Sequence, residues 1–516
     1  MSKKKLLAVL TGMVMAFMGL AGVGAASAAI AEWNSLTVHK YLGATSGLPH
    51  NGTKLTEEQL KGLTSQKPLQ GVKFDLYKVK DVDVSTNDGV AVASKIGNMV
   101  LPGDVVEKGI QVDGKNYTLE AATPASATTN AQGEAVFTVP NVGLPNGVYV
   151  VVENLKDSGN LKTADGDVVK AKVTPAAPFA VSMPMTSPDG KTLNKDVHVY
   201  PKNQVNDLTK TVKDAGKTVG DDIVYTISTT STGADTNGKD GINRDDLGGV
   251  YKIVDTLDPN LTYKSVTVKV AGKDVTEGEN GYQVTKEATG DPAQDKVTVS
   301  FKGTTLDTIA AGAKVELELT ANVKQDSAVG VIPNQAKLYP NSWSKGIDSG
   351  KVETKFGDIV IKKINKDGAV LAGAKFSVHL DNSANKDCSS YGDAIKTSEA
   401  TGTDGLVSIK GLHLTNFVDN KELPKADQHP YCLVETQAPA GYQLLPKPVS
   451  FKLTKEGSVT DLSAAAEAEA GNALDITNFK NPGLPLTGAQ GILLVSVLGL
   501  ILVSVGVVLT VKRRQD

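Results

Sequence analysis

Leu69-Gln70-Gly71-Val72-Lys73-Phe74-Asp75-Leu76-Tyr77 returns near the other end of the chain as Leu371-Ala372-Gly373-Ala374-Lys375-Phe376-Ser377-Val378. A lysine-bearing apolar alternation precedes each copy: Thr37-Val38-His39-Lys40 and Ile359-Val360-Ile361-Lys362-Lys363. A strand-like run ending in glutamate follows each: Gly147-Val148-Tyr149-Val150-Val151-Val152-Glu153 and Tyr431-Cys432-Leu433-Val434-Glu435. Period-two alternation bounded by glycine turns reads as half-buried β-strands, so the first and last domains share one β plan. Between them, Asp222-Ile223-Val224-Tyr225-Thr226-Ile227 and the set Ala313, Val315, Leu317 and Leu319 also alternate but lack the repeat, which predicts a β-sandwich of a second type.

Composition agrees with an all-β reading. The chain has 516 residues, 51 of them glycine, and only 5% are aromatic. That favours short strands and turns over helical or α/β folds, and the length calls for several cores. Segments resembling helices, Leu55–Leu63 and Ala464–Ala470, are read as decoration. A formal charge of −3 argues against nucleic acid as a partner.

The two ends set the compartment. Lys3, Lys4 and Lys5 precede an apolar run and then Ala26-Ser27-Ala28, the pattern of a secretory signal peptide over residues 1–28. The run from Ile492 to Val511 carries no charge and is followed by Lys512, Arg513 and Arg514, as in a membrane span (492–511) with a basic cytoplasmic tail (512–516). Leu484-Pro485-Leu486-Thr487-Gly488 stands just before it, and the ordered triplet resembles the cell-wall sorting signal read by sortases. The only two cysteines, Cys388 and Cys432, in an exported chain most simply form one disulfide.

Two further stretches resemble a known family. Tyr431-Cys432-Leu433-Val434-Glu435-Thr436-Gln437-Ala438-Pro439-Ala440-Gly441-Tyr442 is similar to the E-box of Gram-positive pilins, and Val197-His198-Val199-Tyr200-Pro201-Lys202 to their pilin motif. The motif's usual tryptophan is replaced here by Leu193. The resemblance implies tandem immunoglobulin-like β-sandwiches: a CnaB-like N-terminal domain (29–204), a CnaA-like middle domain (205–354) and a CnaB-like C-terminal domain (355–483), followed by the sorting motif (484–488).

It also implies internal lysine–asparagine isopeptide bonds, and elementary chemistry states what they need. The amine must be neutral, which burial promotes, and a buried acid must polarise the amide and carry protons to the departing ammonia. The sets implied are Lys210, Asn334 and Asp255 in the middle domain, Lys363, Asn478 and Glu435 in the C-terminal domain, and Lys40, Asn203 and Glu153 in the N-terminal domain. Lys213 and Lys362 are the register-shifted alternatives, because a slip of one residue reverses the face.

For polymerisation, the resemblance implies a link from the Thr487 carbonyl to Lys202 of the next subunit, with Lys195 as the alternative nucleophile. Its partners would be identical pilin subunits, a class C-type sortase, a housekeeping sortase with peptidoglycan, minor pilins and a host surface ligand. The chain would then be a shaft subunit of a wall-anchored surface pilus and a sortase substrate rather than an enzyme. A monomeric wall-anchored adhesin is the competing reading. The loop carrying Asp235, Asn237, Asp240 and Asp245 resembles a calcium loop, but a lysine stands at one ligand position and the closing glutamate is missing. A solvated loop competes with it, and no other cofactor is expected.

Overall fold

The computed structural model describes residues 35–480 apart from 44–50, 62–66, 141, 232–246, 308, 310–311, 326–329, 455–456 and 459–472. The signal peptide, sorting motif, membrane span and tail, the helix expected at 464–470 and the calcium-like loop residues lie outside the described residues. Among those described, no helix is long and apolar enough to cross a membrane. The chain forms two compact units, residues 1–355 with 417–422, and residues 356–416 with 423–516.

The first unit begins with the strand Ser35–His39, which pairs in parallel with Asp196–Val199 and antiparallel with Glu134–Phe137. Beyond Lys40, Tyr41–Leu42 continues in parallel with Lys202–Val205. A four-stranded sheet lies opposite, in the order Phe179–Met183, Gly147–Asn154, Lys73–Val79, Leu119–Thr128. Leu36, Val38, Phe74, Tyr149, Val151 and Val197 pack between the layers.

The strand Gly147–Asn154 is buried on both faces. Its intervening residues Val148 and Val150 enter a second core with Ala93 and Ile96 of a helix, Asn87–Gly97. Thr86 caps that helix by accepting from the Gly89 amide at 3.1 Å, and Lys95 sits in its last turn, matching the helix dipole. This helical cover was not anticipated from the sequence.

Two five-stranded sheets follow in the same unit. One is ordered Leu208–Lys213, Asp222–Thr230, Lys314–Val323, Leu261–Val270, Lys273–Val275, and the other Tyr282–Thr289, Gln294–Phe301, Lys252–Thr256, Ala336–Tyr339, Ile347–Asp348. Alternate residues Leu208, Lys210 and Val212 are buried while Thr209, Thr211 and Lys213 face solvent, so a lysine occupies a core position.

In the second unit, the strand Val352–Asn365 pairs from Phe356 onward with Leu406–His413 and in parallel with Leu474–Asn478. The other layer is ordered Tyr391–Thr397, Lys375–Asp381, Tyr431–Gln437, Val449–Phe451. Cys388 and Cys432 form a disulfide across 44 residues. The fold is all-β with tandem sandwich layers, and both copies of the repeat, Lys73–Val79 and Lys375–Asp381, lie beside their glutamate-ending strands.

Candidate functional sites

Three lysines that the alternation aims inward end beside a carboxyl group and an asparagine. In each pair of lysine and acid neither side chain is more than 2% exposed. Buried lysines are rare unless paired, so three in one chain call for a chemical reason.

Lys40 sits where one short strand gives way to the next. Its amide donates to the Gly133 carbonyl at 2.7 Å, and its own carbonyl accepts from Leu69. Gly133 has φ +75°, and a Cβ there would meet the Lys40 carbonyl oxygen at 2.4 Å, so this turn needs glycine. The Lys40 Nζ donates to Glu153 Oε2 at 2.7 Å and to Asn203 Oδ1 at 2.5 Å. The Asn203 Nδ2 donates to Glu153 Oε1, closing the triad. Burial lowers the lysine's pKa, and the neighbouring Glu153 opposes the shift without cancelling it.

Lys210 donates to Asp255 and lies 4.6 Å from the centroid of the Tyr225 ring. Burial pushes the lysine down and the aspartate up, each against their mutual attraction. Both shifts favour the uncharged pair. Asn334 is buried beside Asp255 and Tyr225, and neither its oxygen nor its nitrogen makes a hydrogen bond of sound geometry. A buried carboxamide so placed is costly.

Lys363 donates to Asn478 Oδ1 at 2.5 Å and to the Ile476 carbonyl at 2.8 Å, and Glu435 Oε1 is 3.6 Å away. Asn478 Nδ2 donates to both Glu435 oxygens, at 2.8 and 2.9 Å, and to the Gln443 carbonyl. Burial holds Lys363 down to about 8, partly offset by Glu435. The register alternatives are placed differently: Lys213 is exposed and Lys362 half-buried.

In all three sites the lysine lies on or beside an early strand of its sandwich and the asparagine on a late one. Lys40 directly precedes Tyr41–Leu42, which pairs in parallel with the strand Lys202–Val205 that carries Asn203, and Lys363 and Asn478 lie on strands paired in parallel. Tyr225 and the Gln443 carbonyl also belong to these sites, and sequence reasoning had not singled them out. Tyr225 sits in the alternation Ile223, Tyr225, Ile227 and reads there as core.

Lys202 opens the strand Lys202–Val205 as the register partner of Tyr41. It faces away from its buried neighbour Asn203, and is itself half-buried. Burial first and the Lys40 charge second bring its pKa down to about 8. In the preceding strand Val197 and Val199 fill the core, while His198 stacks on His39. The Tyr200 hydroxyl accepts from the Leu55 amide at 2.8 Å. Lys195 is exposed. Asp381, Cys388 and Cys432 are the one His/Cys/Asp/Glu trio among the described residues gathered closely enough to hold a metal, and both sulfurs are spent in the disulfide.

Residues 31–204 match the family model for the Gram-positive pilin subunit D1, N-terminal domain, and residues 357–467 match that of a prealbumin-like fold domain. Fold, matched domains and full-length relatives together place the chain in the family of Gram-positive pilin (fimbrial) subunits. Fimbrial subunit type 2 of Actinomyces naeslundii is 30% identical over 527 residues, covering 93% of this chain and 90% of the relative. Fimbrial subunit type 1 of Actinomyces viscosus is 29% identical over 543 residues with the same coverage. Among solved structures, the full-length major pilin SpaD of Corynebacterium diphtheriae is 25% identical, with a TM-score of 0.57 over 87% of this chain and 98% of that one.

Proposed function

We propose that this chain is the shaft subunit of a surface pilus, polymerised covalently by a sortase and stiffened by internal isopeptide bonds. The observation that carries the reading is the threefold burial of a lysine with an asparagine and a carboxyl group. A salt bridge alone accounts for it poorly, since buried ion pairs seldom outdo a well-packed apolar core.

In each site the neutral Nζ attacks the asparagine Cγ. The acid, which contacts the amide nitrogen at the Glu153 and Glu435 sites, polarises the amide as the tetrahedral intermediate forms. It then shuttles the amine proton to the leaving nitrogen, and ammonia departs with the amide formed. Asp255 suits the task because burial favours its protonated form. Each site reacts once, so the chain is not an enzyme in the turnover sense.

Between subunits, a sortase thiolate attacks the Thr487 carbonyl, releases Gly488 and leaves a thioester that the Lys202 amine of the next subunit opens. Burial, which persists once Lys40 is spent in its amide, holds the Lys202 amine below the usual lysine range and raises its nucleophilic fraction near neutrality. A terminal subunit passes instead to a cell-wall amine, which anchors the fibre. Intact-mass measurement of the exported chain tests the internal bonds: we expect a deficit of three ammonias and, for the disulfide, two hydrogens. The full unmodified mass would remove the basis of the proposal.

A further inference from the structure

The disulfide has a neighbour that neither the fold nor the isopeptide chemistry uses. Asp381 ends the strand Lys375–Asp381, beside the strand on which Cys432 pairs with His379. It is buried at 5% exposure, and a carboxylate oxygen lies within 4.8 Å of both sulfurs. Its Oδ1 accepts from the Ser383 amide at 2.8 Å and from the Ser383 hydroxyl at 2.6 Å. That hydroxyl accepts from the Asp387 amide and so fixes the carboxylate on the loop that carries Cys388. Oδ2 has no partner.

The turn uses only the first oxygen, and the second stays buried without a hydrogen-bond partner. An acceptor-only group left open beside two sulfurs can take a proton from a thiol. Other titratable groups nearby are turned to other tasks or aimed elsewhere. His379 bonds to Ser377 and the Gly392 carbonyl, Lys386 to the Ala426 carbonyl, and the Tyr431 hydroxyl to the His413 carbonyl. The Asp387 carboxylate accepts from Ser389, and Tyr391 is the exposed register partner of Asp381.

We propose that Asp381 is the general base that closes the Cys388–Cys432 disulfide. Thiolate is the reacting form, and apolar burial disfavours it, so an enclosed thiol gains from a base that takes its proton as it attacks. The oxidant is an external disulfide, RSSR, such as a thiol oxidoreductase or glutathione disulfide. Cys388, on the loop, first forms the mixed disulfide and releases one RSH. The Cys432 proton then passes to Asp381 Oδ2 as Cys432 sulfur attacks Cys388 sulfur. The second RS⁻ leaves and is protonated, and Asp381 returns its proton to solvent. Two thiols are oxidised, RSSR is reduced to two RSH, and atoms and electrons balance.

The test uses the purified chain, reduced and then mixed with saturating glutathione disulfide, so that ring closure sets the rate. Closure is read by acid quench and mass. With Asp381 as base, wild-type closure stays within about threefold between pH 6 and 8, because the proton moves within the thiol–carboxylate pair rather than being lost to solvent. Asp381→Asn should close about 300-fold more slowly at pH 6 and gain roughly tenfold per pH unit as the thiol ionises by itself, meeting wild type near the ordinary thiol pKa of about 8.5. Asp381→Glu should restore the level profile. Equal rates at pH 6, or slowing by the same factor at every pH, would overturn the proposal, the latter marking Asp381 as structural only. Should Asp381→Asn fail to fold, the wild-type profile decides, since a tenfold rise per pH unit in wild type is what a lone thiol gives.

Discussion

Lys363 is cut off from water on every side, and its amine finds an amide oxygen, a backbone carbonyl and a carboxylate in place of solvent. If Glu435 is the proton carrier, Glu435→Ala leaves Asn478 with its ammonia, and the mass of the exported chain rises by one ammonia beyond the change of side chain. Asp255→Ala does the same for Lys210. Loss of ammonia undiminished in either variant would remove that acid from the chemistry. A second prediction concerns pH. In Asn478→Ala the bond cannot form, and Lys363 remains a titratable group with a pKa of about 8 folded, against 10.5 when exposed. Between those values the unfolded chain holds a proton that the folded chain has released, so stability should rise with pH through that window. If the Lys363 amine is spent in an amide in wild type, wild type should lack that part of the rise, while the contribution of Lys202, also brought down to about 8, is common to both chains. Denaturant midpoints at pH 8 and 10.5 for both chains read this directly. These residues were legible in the sequence through the family resemblance, with the alternation of Ile359, Ile361 and Lys363 favouring Lys363 over Lys362. Tyr225 was not, since an aromatic in an apolar alternation has the same signature whether or not it contacts a reactive amine.

At the scale of elements, strands announced themselves and the helix Asn87–Gly97 did not. Its buried positions Gly89, Ala93, Ile96 and Gly97 do follow helical spacing, but two are glycine, which carries no hydrophobic signal and disfavours helix. The capping threonine and the terminal lysine were the available clues. Register carries more of the chemistry than length does. The parallel match of Lys363 with Ile476 and of Asn365 with Asn478 sets the lysine diagonally within reach of the asparagine, and a one-residue slip would turn it to solvent. The disulfide tethers the Cys388 loop to the E-box strand. Closing a loop of 44 residues corresponds to about 4 kcal/mol in the chain-entropy picture. Cys388→Ser should therefore lower the thermal midpoint of residues 356–480 while leaving the ammonia deficit intact. An unchanged midpoint by calorimetry would mean that the loop is held without it.

On the proposed reading, the internal bonds are what would carry tension along a fibre. A non-covalent sandwich yields when its terminal strands peel away, whereas a bond from Lys363 to Asn478, 115 residues apart, leaves most of the domain outside the path of force. The sequence displayed this plan through its repeated domains and motif-bearing ends, while the half-buried setting of Lys202, paired in register with Tyr41, emerged only from the structure. If Thr487 is joined to Lys202, cells producing the wild-type chain carry a ladder of high-mass species that survives boiling in detergent, because amide bonds do not dissociate. Lys202→Ala should abolish the ladder while monomer is still exported, folded and held at the surface. The internal lysines and the sorting motif are untouched in that variant, so the acyl-enzyme forms and passes the chain to the wall amine instead. Lys202→Arg should behave alike, since a guanidinium stays protonated and cannot attack. Lys210→Ala, by contrast, should keep the ladder and lose resistance to heat and protease within residues 205–354. A ladder undiminished in Lys202→Ala would transfer the role to Lys195, and absence of any ladder from wild-type cells with their sortases would favour a monomeric anchored adhesin.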